Sequence, residues 1–162
     1  MIPHIRIPFL MAWEFECAAT ARVIGNLPPA RLDFQPHPKS MDAGTLAWHL
    51  VTSEQWFIDC FLAGRKVPSE AAQRPPSLQE ILQAYAAQHQ TQSQQVRQAH
   101  EDTWTRTLDW FGQGLPAAML LEGVMLRHAA HHRGQLTVYL RLLGAKVPSV
   151  YGPSADEKGG QT

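Results

Sequence analysis

Apolar residues recur at intervals of three and four along four stretches of the chain, the spacing of an amphipathic helix. The first stretch runs from about residue 8 to 26 and the second from about 42 to 63. The third begins at Ser77, and the fourth extends from Pro116 to about Leu143. No stretch shows the strict alternation of a half-buried β-strand, so the pattern predicts an all-helical chain.

The ends of these segments carry residues that favour helix boundaries. Asp42 is suited to cap the second helix, and Gly64 followed by Pro68 is suited to end it. Ser77 and Glu80 form a capping-box pattern at the start of the third helix.

Four amphipathic helices of about 20–28 residues bury their apolar stripes best against one another, which predicts an all-α four-helix bundle. The two proline-containing connections are long enough for a long crossover connection. We expect the bundle in residues 1–147 and an irregular C-terminal tail at the surface in residues 148–162. The segment from about 101 to 115 is long for a bundle connection and is a candidate for shaping a pocket.

Histidines are the chemical feature that stands out from this pattern. The chain has 8 histidines, and three of them lie at positions 128, 131 and 132. His128 and His132 share one largely apolar face of the fourth helix, and His49 falls on the apolar stripe of the second. An imidazole on such a face costs on the order of 1–3 kcal/mol without a partner, and a divalent metal is the simplest partner for all three.

A metal site formed by His49, His128 and His132 suits zinc, nickel, iron or another borderline divalent ion. Helix axes in a bundle pack about 8–10 Å apart, so imidazoles from two helices can converge on one point. Three protein ligands leave positions for water or substrate, as in a catalytic site. A metal-free bundle, with histidines that hydrogen-bond to each other and to water, is the alternative.

Further residues are candidates to support these ligands or to line a pocket. Gln135 lies on the His128 face and is expected either to hydrogen-bond a ligand or substrate or to reach the end of the bundle. His131 is expected either to border the site or to remain at the surface. Trp56 and Trp110 are candidates to line a pocket beside the second-helix histidine.

Other notable side chains are assigned structural roles. Arg133 is predicted to point away from the histidines and to form a surface salt bridge. Cys17 and Cys60 are predicted to be small core residues. His89 is a weaker candidate for a fourth ligand, and Glu54 is predicted to point away from the site, which leaves no obvious general base.

Charge and composition exclude several classes of protein. The 14 basic residues balance the 14 acidic ones, so neither a nucleic-acid partner nor an anionic membrane surface is indicated. Apolar runs fall short of the roughly 20 residues that span a bilayer. The N-terminal stretch lacks the layout of a signal peptide, and two cysteines are too few for a disulfide framework. We therefore expect a cytoplasmic protein.

Three segments resemble the DinB-like (DinB/YfiT) family: GTLAWHL at 44–50, HAAHHRGQL at 128–136 and YGPSAD at 151–156. The resemblance follows nearly the whole chain in order, and its most specific part is the HxxxHRGQ segment paired with an upstream helical histidine. It implies a four-helix bundle with a long crossover, a metal held by His49, His128 and His132, and frequent homodimers.

The resemblance also implies a class of function. Members whose role is known use the metal to activate a low-molecular-weight thiol, as in bacillithiol or mycothiol S-transferases and the mycothiol-dependent maleylpyruvate isomerase. We therefore expect a metal-dependent enzyme that activates such a thiol, or water, to act on a small-molecule substrate. The alternative is a non-catalytic metal-binding bundle that serves in a stress response or binds a partner.

Overall fold

The computed structural model of the chain describes residues 3–69 and 72–157 and is mainly helical. Its long helices are α1 (Pro3–Gly25), α2 (Ala43–Ala63), α3 (Leu78–Gln98) and α6 (Leu126–Leu142). Between α3 and α6 lie α4 (Glu101–Thr105), the strands β1 (Thr107–Trp110) and β2 (Gln113–Pro116), the short helix α5 (Ala117–Met119) and a π-helical turn (Leu120–Met125). The predicted all-α fold is confirmed, and within these two ranges no helix is both long and apolar enough to cross a membrane.

Local side-chain chemistry accounts for the ends of α2 and α3. The Asp42 carboxylate accepts a hydrogen bond from the backbone N–H of Thr45 at 2.7 Å, and Gly64 ends α2 with φ 72°. Ser77 and Glu80 form the predicted capping box. Residues at the two ends of α2 therefore determine where the helix that carries His49 begins and ends.

A small antiparallel hairpin corrects the expectation that the chain contains no strand. Strands β1 and β2 pair from Thr107 opposite Pro116 to Trp110 opposite Gln113. Phe111 (φ 55°) and Gly112 (φ 80°) form the two-residue turn between them. Four-residue strands with glycine in and beside them show too little alternation for the sequence pattern to detect.

The interior consists of two apolar clusters stacked along the bundle. The first cluster includes Leu50 and Val51 of α2 and Ala129 of α6. The second cluster includes Phe57 of α2, the hairpin residue Leu108, and Leu120, Leu121 and Met125 of the π-helical turn. The boundary between the two clusters therefore lies between Val51 and Phe57 on α2. On α6 the boundary lies beside His128.

The prediction that Arg133 lies at the surface is wrong, because only 2% of this residue is exposed. Its guanidinium donates to the Glu16 carboxylate at 2.5 Å, to the Thr20 hydroxyl at 3.0 Å and to the Tyr151 hydroxyl. Helix α6 packs against both α1 and α2, so the face turned away from the histidines is also interior.

The described part of the C-terminal tail is irregular and is bonded to the bundle. Besides the Tyr151 contact, Asp156 accepts a hydrogen bond from Arg141 of α6 at 2.8 Å. Val147 and Val150 pack against the first cluster. The division into a bundle (1–147) and a tail (148–162) stays a prediction.

Candidate metal centre

Three imidazoles from two helices meet at one point. The Nε2 atom of His132 lies 3.2 Å from Nε2 of His49 on α2 and 3.2 Å from Nε2 of His128 one turn earlier on α6. One ring nitrogen from each residue lies within 4.8 Å of the other two. All three side chains are half-buried. The structure thus brings together the three residues that helical spacing placed on facing stripes.

The spacing of these nitrogens fits a first-row divalent ion. Ligands about 2.1 Å from an ion, at angles between octahedral and tetrahedral, stand roughly 3.0–3.4 Å apart. The two 3.2 Å distances at His132 fall in this range. Over the described ranges, no further His, Cys, Asp or Glu joins the group, so an ion held here keeps positions open for an exogenous ligand.

Gln135 supports His132 from the next turn of α6. Its side-chain carbonyl oxygen accepts a hydrogen bond from Nδ1 of His132 at 2.8 Å. A proton on Nδ1 leaves the lone pair of Nε2 free to face an ion. The exposed ring of His131 lies 4.9 Å from the His132 ring, at the border of the group.

The environment keeps the three imidazoles uncharged at neutral pH. Burial, together with the neighbouring histidines, lowers the pKa of His128 to about 4. Burial and the nearby His132 lower the pKa of His49. Burial also lowers the pKa of His132, against the opposing effect of the Gln135 hydrogen bond. Neutral rings offer lone pairs to a metal without first losing a proton.

A cavity of about 210 Å³ opens beside the histidines. The lining side chains are His49, Thr52, Ser53, Trp56, Phe57, Ser69 and His128. Trp110 is not among them, because its indole packs behind the lining with ring centres 5.3 Å from Trp56 and 6.0 Å from Phe57. The hairpin thus supports the cavity wall rather than forming it.

Two of the lining residues could have been found from the sequence. Thr52 and Ser53 stand three and four positions after His49, so they share its helix face. Their hydroxyls donate to backbone carbonyls of α2, Thr52 to Trp48 and Ser53 to Leu50, and keep lone pairs that can accept hydrogen bonds. Ser69 lies in the following loop, and periodicity gives no signal there.

The remaining titratable candidates lie elsewhere in the bundle. His89 contacts Glu14 at 3.0 Å and Glu54 at 3.8 Å, away from the three-histidine group. Glu54 is buried and accepts a hydrogen bond from the Tyr85 hydroxyl at 3.1 Å. Cys17 and Cys60 are both buried free thiols. None of these side chains lines the cavity.

Comparisons with known proteins agree with this architecture. The DinB family profile matches residues 4–160. YrdA of Bacillus subtilis (strain 168), named only as an uncharacterized protein, is 32% identical over 154 residues, which cover 92% of this chain and 89% of YrdA. A DinB-like protein from Bacillus cereus ATCC 10987 superimposes with a TM-score of 0.77 at 27% identity, over 88% of this chain and 95% of that one.

A second solved structure shows the same fold. The DinB-like protein YjoA from Bacillus subtilis superimposes with a TM-score of 0.74 at 22% identity, over 88% of this chain and 96% of that one. The family profile, the YrdA match and both superpositions each extend over most of the chain. The chain therefore belongs to the DinB family, as its sequence motifs predicted.

Proposed function

We propose that His49, His128 and His132 bind one divalent first-row metal ion and form the centre of a metal-dependent enzyme. The proposed enzyme activates a low-molecular-weight thiol, or water, and transfers it to a small-molecule substrate. The observation that carries the proposal is the convergence of three neutral imidazoles beside a cavity of about 210 Å³. A site with three protein ligands and open space is typical of catalytic rather than structural metals.

When bound, a divalent ion lowers the pKa of a coordinated thiol or water and supplies a nucleophile at neutral pH. The side chains of the chain supply position and shielding. Thr52 and Ser53 offer hydroxyl oxygens to polar groups of a bound molecule. Trp56 and Phe57 form apolar walls that keep bulk water from the nucleophile.

The cavity favours a thiol over water as the activated molecule. Hydrolysis is helped by a general base within hydrogen-bond reach of the attacking water. The nearest buried carboxylate on α2, Glu54, is engaged with Tyr85, and none of the described residues that line the cavity carries a carboxylate. A thiol would need no such base, because an ion held by the three histidines would lower the pKa of the thiol enough for its proton to pass to solvent.

Metal analysis tests the first part of the proposal. We expect about one metal ion per chain in the purified protein and loss of that ion in His49→Ala and in His128→Ala. His37→Ala, which removes an exposed loop histidine, is the matched control and should retain the metal. A wild-type protein without metal would favour the hydrogen-bonded, metal-free alternative, and a metal content that is unchanged in both variants would mean that these histidines do not hold the ion.

Cobalt substitution tests the second part. The visible spectrum of the cobalt-loaded protein should change when a small thiol is added, because sulfur coordination gives an intense charge-transfer band. A cobalt spectrum that is indifferent to every thiol would favour the non-catalytic metal-binding role, in a stress response or with a partner.

We also propose that the protein forms a homodimer, as the family resemblance implies. Ile7, Met11 and Phe15 recur every four residues on α1 and are between 51% and 69% exposed. Such an apolar stripe is typical of an interaction surface. Light scattering should give twice the chain mass, and Met11→Glu should reduce this mass to that of a monomer.

A cytoplasmic location stays a prediction, which cell fractionation would test.

A further inference from the structure

A second cavity lies next to the one beside the histidines. Its volume is about 290 Å³, and the lining side chains are Thr52, Gln55, Trp56, Asp59, Pro68, Ser69 and Ala72. Thr52, Trp56 and Ser69 line both cavities. The two cavities therefore adjoin along one face of α2, and together they extend away from His49 towards the helix C-terminus.

Trp56 is fixed at the boundary between the two cavities. Its indole N–H donates a hydrogen bond to the backbone carbonyl of Val67 at 2.8 Å. The ring also packs against Phe57 and Trp110, with ring centres 5.1 Å and 5.3 Å away. Because the ring is held on two sides, its position is fixed. The packing of the fold therefore sets the width of the passage between the cavities.

Asp59 is the charged residue among the described residues that line the second cavity. It follows His49 by ten positions, which places it roughly 15 Å further along the α2 axis. Its carboxylate makes no hydrogen bond or ion pair with another residue in the described ranges, and burial raises its pKa. A partly desolvated carboxylate without a partner favours a cationic group that restores its lost hydration energy.

The other described residues of the lining are uncharged, and Thr52, Gln55 and Ser69 among them are polar. The Thr52 hydroxyl belongs to the wall that the two cavities share, and the Gln55 amide lines the second cavity only. Both groups can accept and donate hydrogen bonds. A molecule that extends from the histidines through this passage therefore meets polar groups along its middle and the Asp59 carboxylate at its far end.

We propose that the second cavity holds the distal part of the activated thiol, and that this thiol carries a cationic amine that pairs with Asp59. The inference rests on the proposed function and adds the chemical class of the co-substrate. The sulfur and the amine nitrogen of this thiol must lie about 10–15 Å apart, because Asp59 stands that far along α2 from the histidines. Short thiols reach the histidines but not the carboxylate.

Matched synthetic thiols test the inference on the cobalt-loaded protein. The probes are aminooctanethiol, hydroxyoctanethiol and the short cysteamine, and the readout is the dissociation constant from the sulfur-to-cobalt charge-transfer band. We expect aminooctanethiol to bind roughly tenfold more tightly than hydroxyoctanethiol, as one charge-assisted hydrogen bond allows. Asp59→Asn should abolish this preference and leave cysteamine affinity unchanged.

The control variant is Asp33→Asn, which removes the same charge from an exposed loop residue that lines neither cavity. It should keep the preference for the amine. Equal affinities for the two octanethiols in the wild type overturn the inference, and this comparison needs no variant to fold. Retention of the preference in Asp59→Asn overturns it as well. A cobalt spectrum that responds to no thiol instead overturns the proposed function, and the inference with it.

Discussion

His132 is the most constrained residue of the candidate site. Its Nε2 atom faces both other imidazoles at 3.2 Å, and its Nδ1 atom is bonded to Gln135. Both ring nitrogens are therefore engaged, and the ring cannot flip without losing these contacts. An orienting hydrogen bond of this kind raises the basicity of a metal ligand and fixes its tautomer.

Removal of that hydrogen bond should weaken metal binding. For Gln135→Leu we expect metal affinity to fall by about 10- to 100-fold, because His132 loses its orienting acceptor. Competition with a chromophoric chelator measures the affinity. Gln94→Leu, an exposed glutamine on α3, is the control and should bind metal as the wild type does. Equal affinities in the two variants would contradict a supporting role for Gln135.

Arg133 permits a stability prediction at the same scale. Arg133→Met should lower the free energy of unfolding by about 3–5 kcal/mol, because the half-buried Glu16 carboxylate loses its cation. Urea denaturation measures the change. Arg141→Met, which breaks the exposed ion pair with Asp156, is the control and should have a much smaller effect.

A double variant separates the ion pair from simple packing. Glu16→Gln combined with Arg133→Met should recover part of the loss, since no unpaired charge then remains buried. Strictly additive effects of the two substitutions would show that their charges do not interact.

The same residue shows where sequence reasoning reaches its limit. Arg133 lies about 140° around the helix from His128, which indicates an outward position if the helix faces the core on one side only. Helix α6 has neighbours on two sides, α1 and α2, and a single sequence does not say how many neighbours a helix has. The histidines were predictable because their stripe is apolar in the sequence itself.

Among the elements, the segment before α6 departs most from expectation. Sequence periodicity predicts one continuous helix from Pro116 to about Leu143, whereas the structure has a π-helical turn at Leu120–Met125. A π turn changes the helical phase, and such turns often occur at functional sites. Here it directs Leu120 and Met125 into the second cluster, while Ala129 joins the first. The residue pattern of this segment does not predict the change of helical phase.

The hairpin element should matter for ligand binding more than for metal binding. Trp110→Ala removes the indole that supports Trp56 and Phe57, so we expect thiol probes to bind several-fold more weakly to the cobalt-loaded protein. Metal content should stay at the wild-type level. Phe111→Ala is the control, because that ring is 69% exposed at the hairpin tip. Equal probe affinities in the two variants would show that the hairpin does not stabilise the cavity wall.

A polar network links three long helices on the side away from the metal centre. His89 on α3 contacts Glu14 of α1 and Glu54 of α2, and its ring packs edge-on against Trp13. Burial lowers the pKa of His89, but the neighbouring Cys17, Glu54 and Glu14 side chains outweigh this effect and raise the pKa to about 11. The charged imidazole is therefore part of the helix packing at neutral pH.

This network predicts a loss of stability in alkali. The folded protein keeps the His89 proton up to about pH 11, whereas the unfolded chain releases it near pH 6.5. The stabilisation is thus complete below pH 6.5 and declines as the pH rises towards 11. Denaturant unfolding between pH 7 and pH 10 should show a steeper decline for the wild type than for His89→Gln. Parallel pH profiles would contradict the assignment.

At the scale of the whole molecule, the metal centre is built on a bundle that has its own core. Two apolar clusters, contributed by residues other than the three histidines, pack the long helices together. The rings can hydrogen-bond to one another when no ion is present. The bundle therefore differs from zinc fingers, which do not fold without their metal.

Removal of the metal should leave this fold intact. Treatment with a chelator is expected to abolish the cobalt spectrum while the far-ultraviolet circular dichroism stays unchanged. The free energy of unfolding should fall only by the binding free energy that the ion contributed, and the melting temperature should fall accordingly. Loss of helical signal on chelation would show that the ion is an essential part of the core.

The two anchors of α6 also bear on which ion is bound. His132 faces the other two histidines, and the next residue, Arg133, is bonded to α1, so the helix cannot turn about its axis to suit a wider or narrower ion. The protein side of the coordination sphere is then the same for every candidate ion. Affinities should therefore rise along the Irving–Williams series from manganese to copper, and the supply of ions in the cell decides which one is carried.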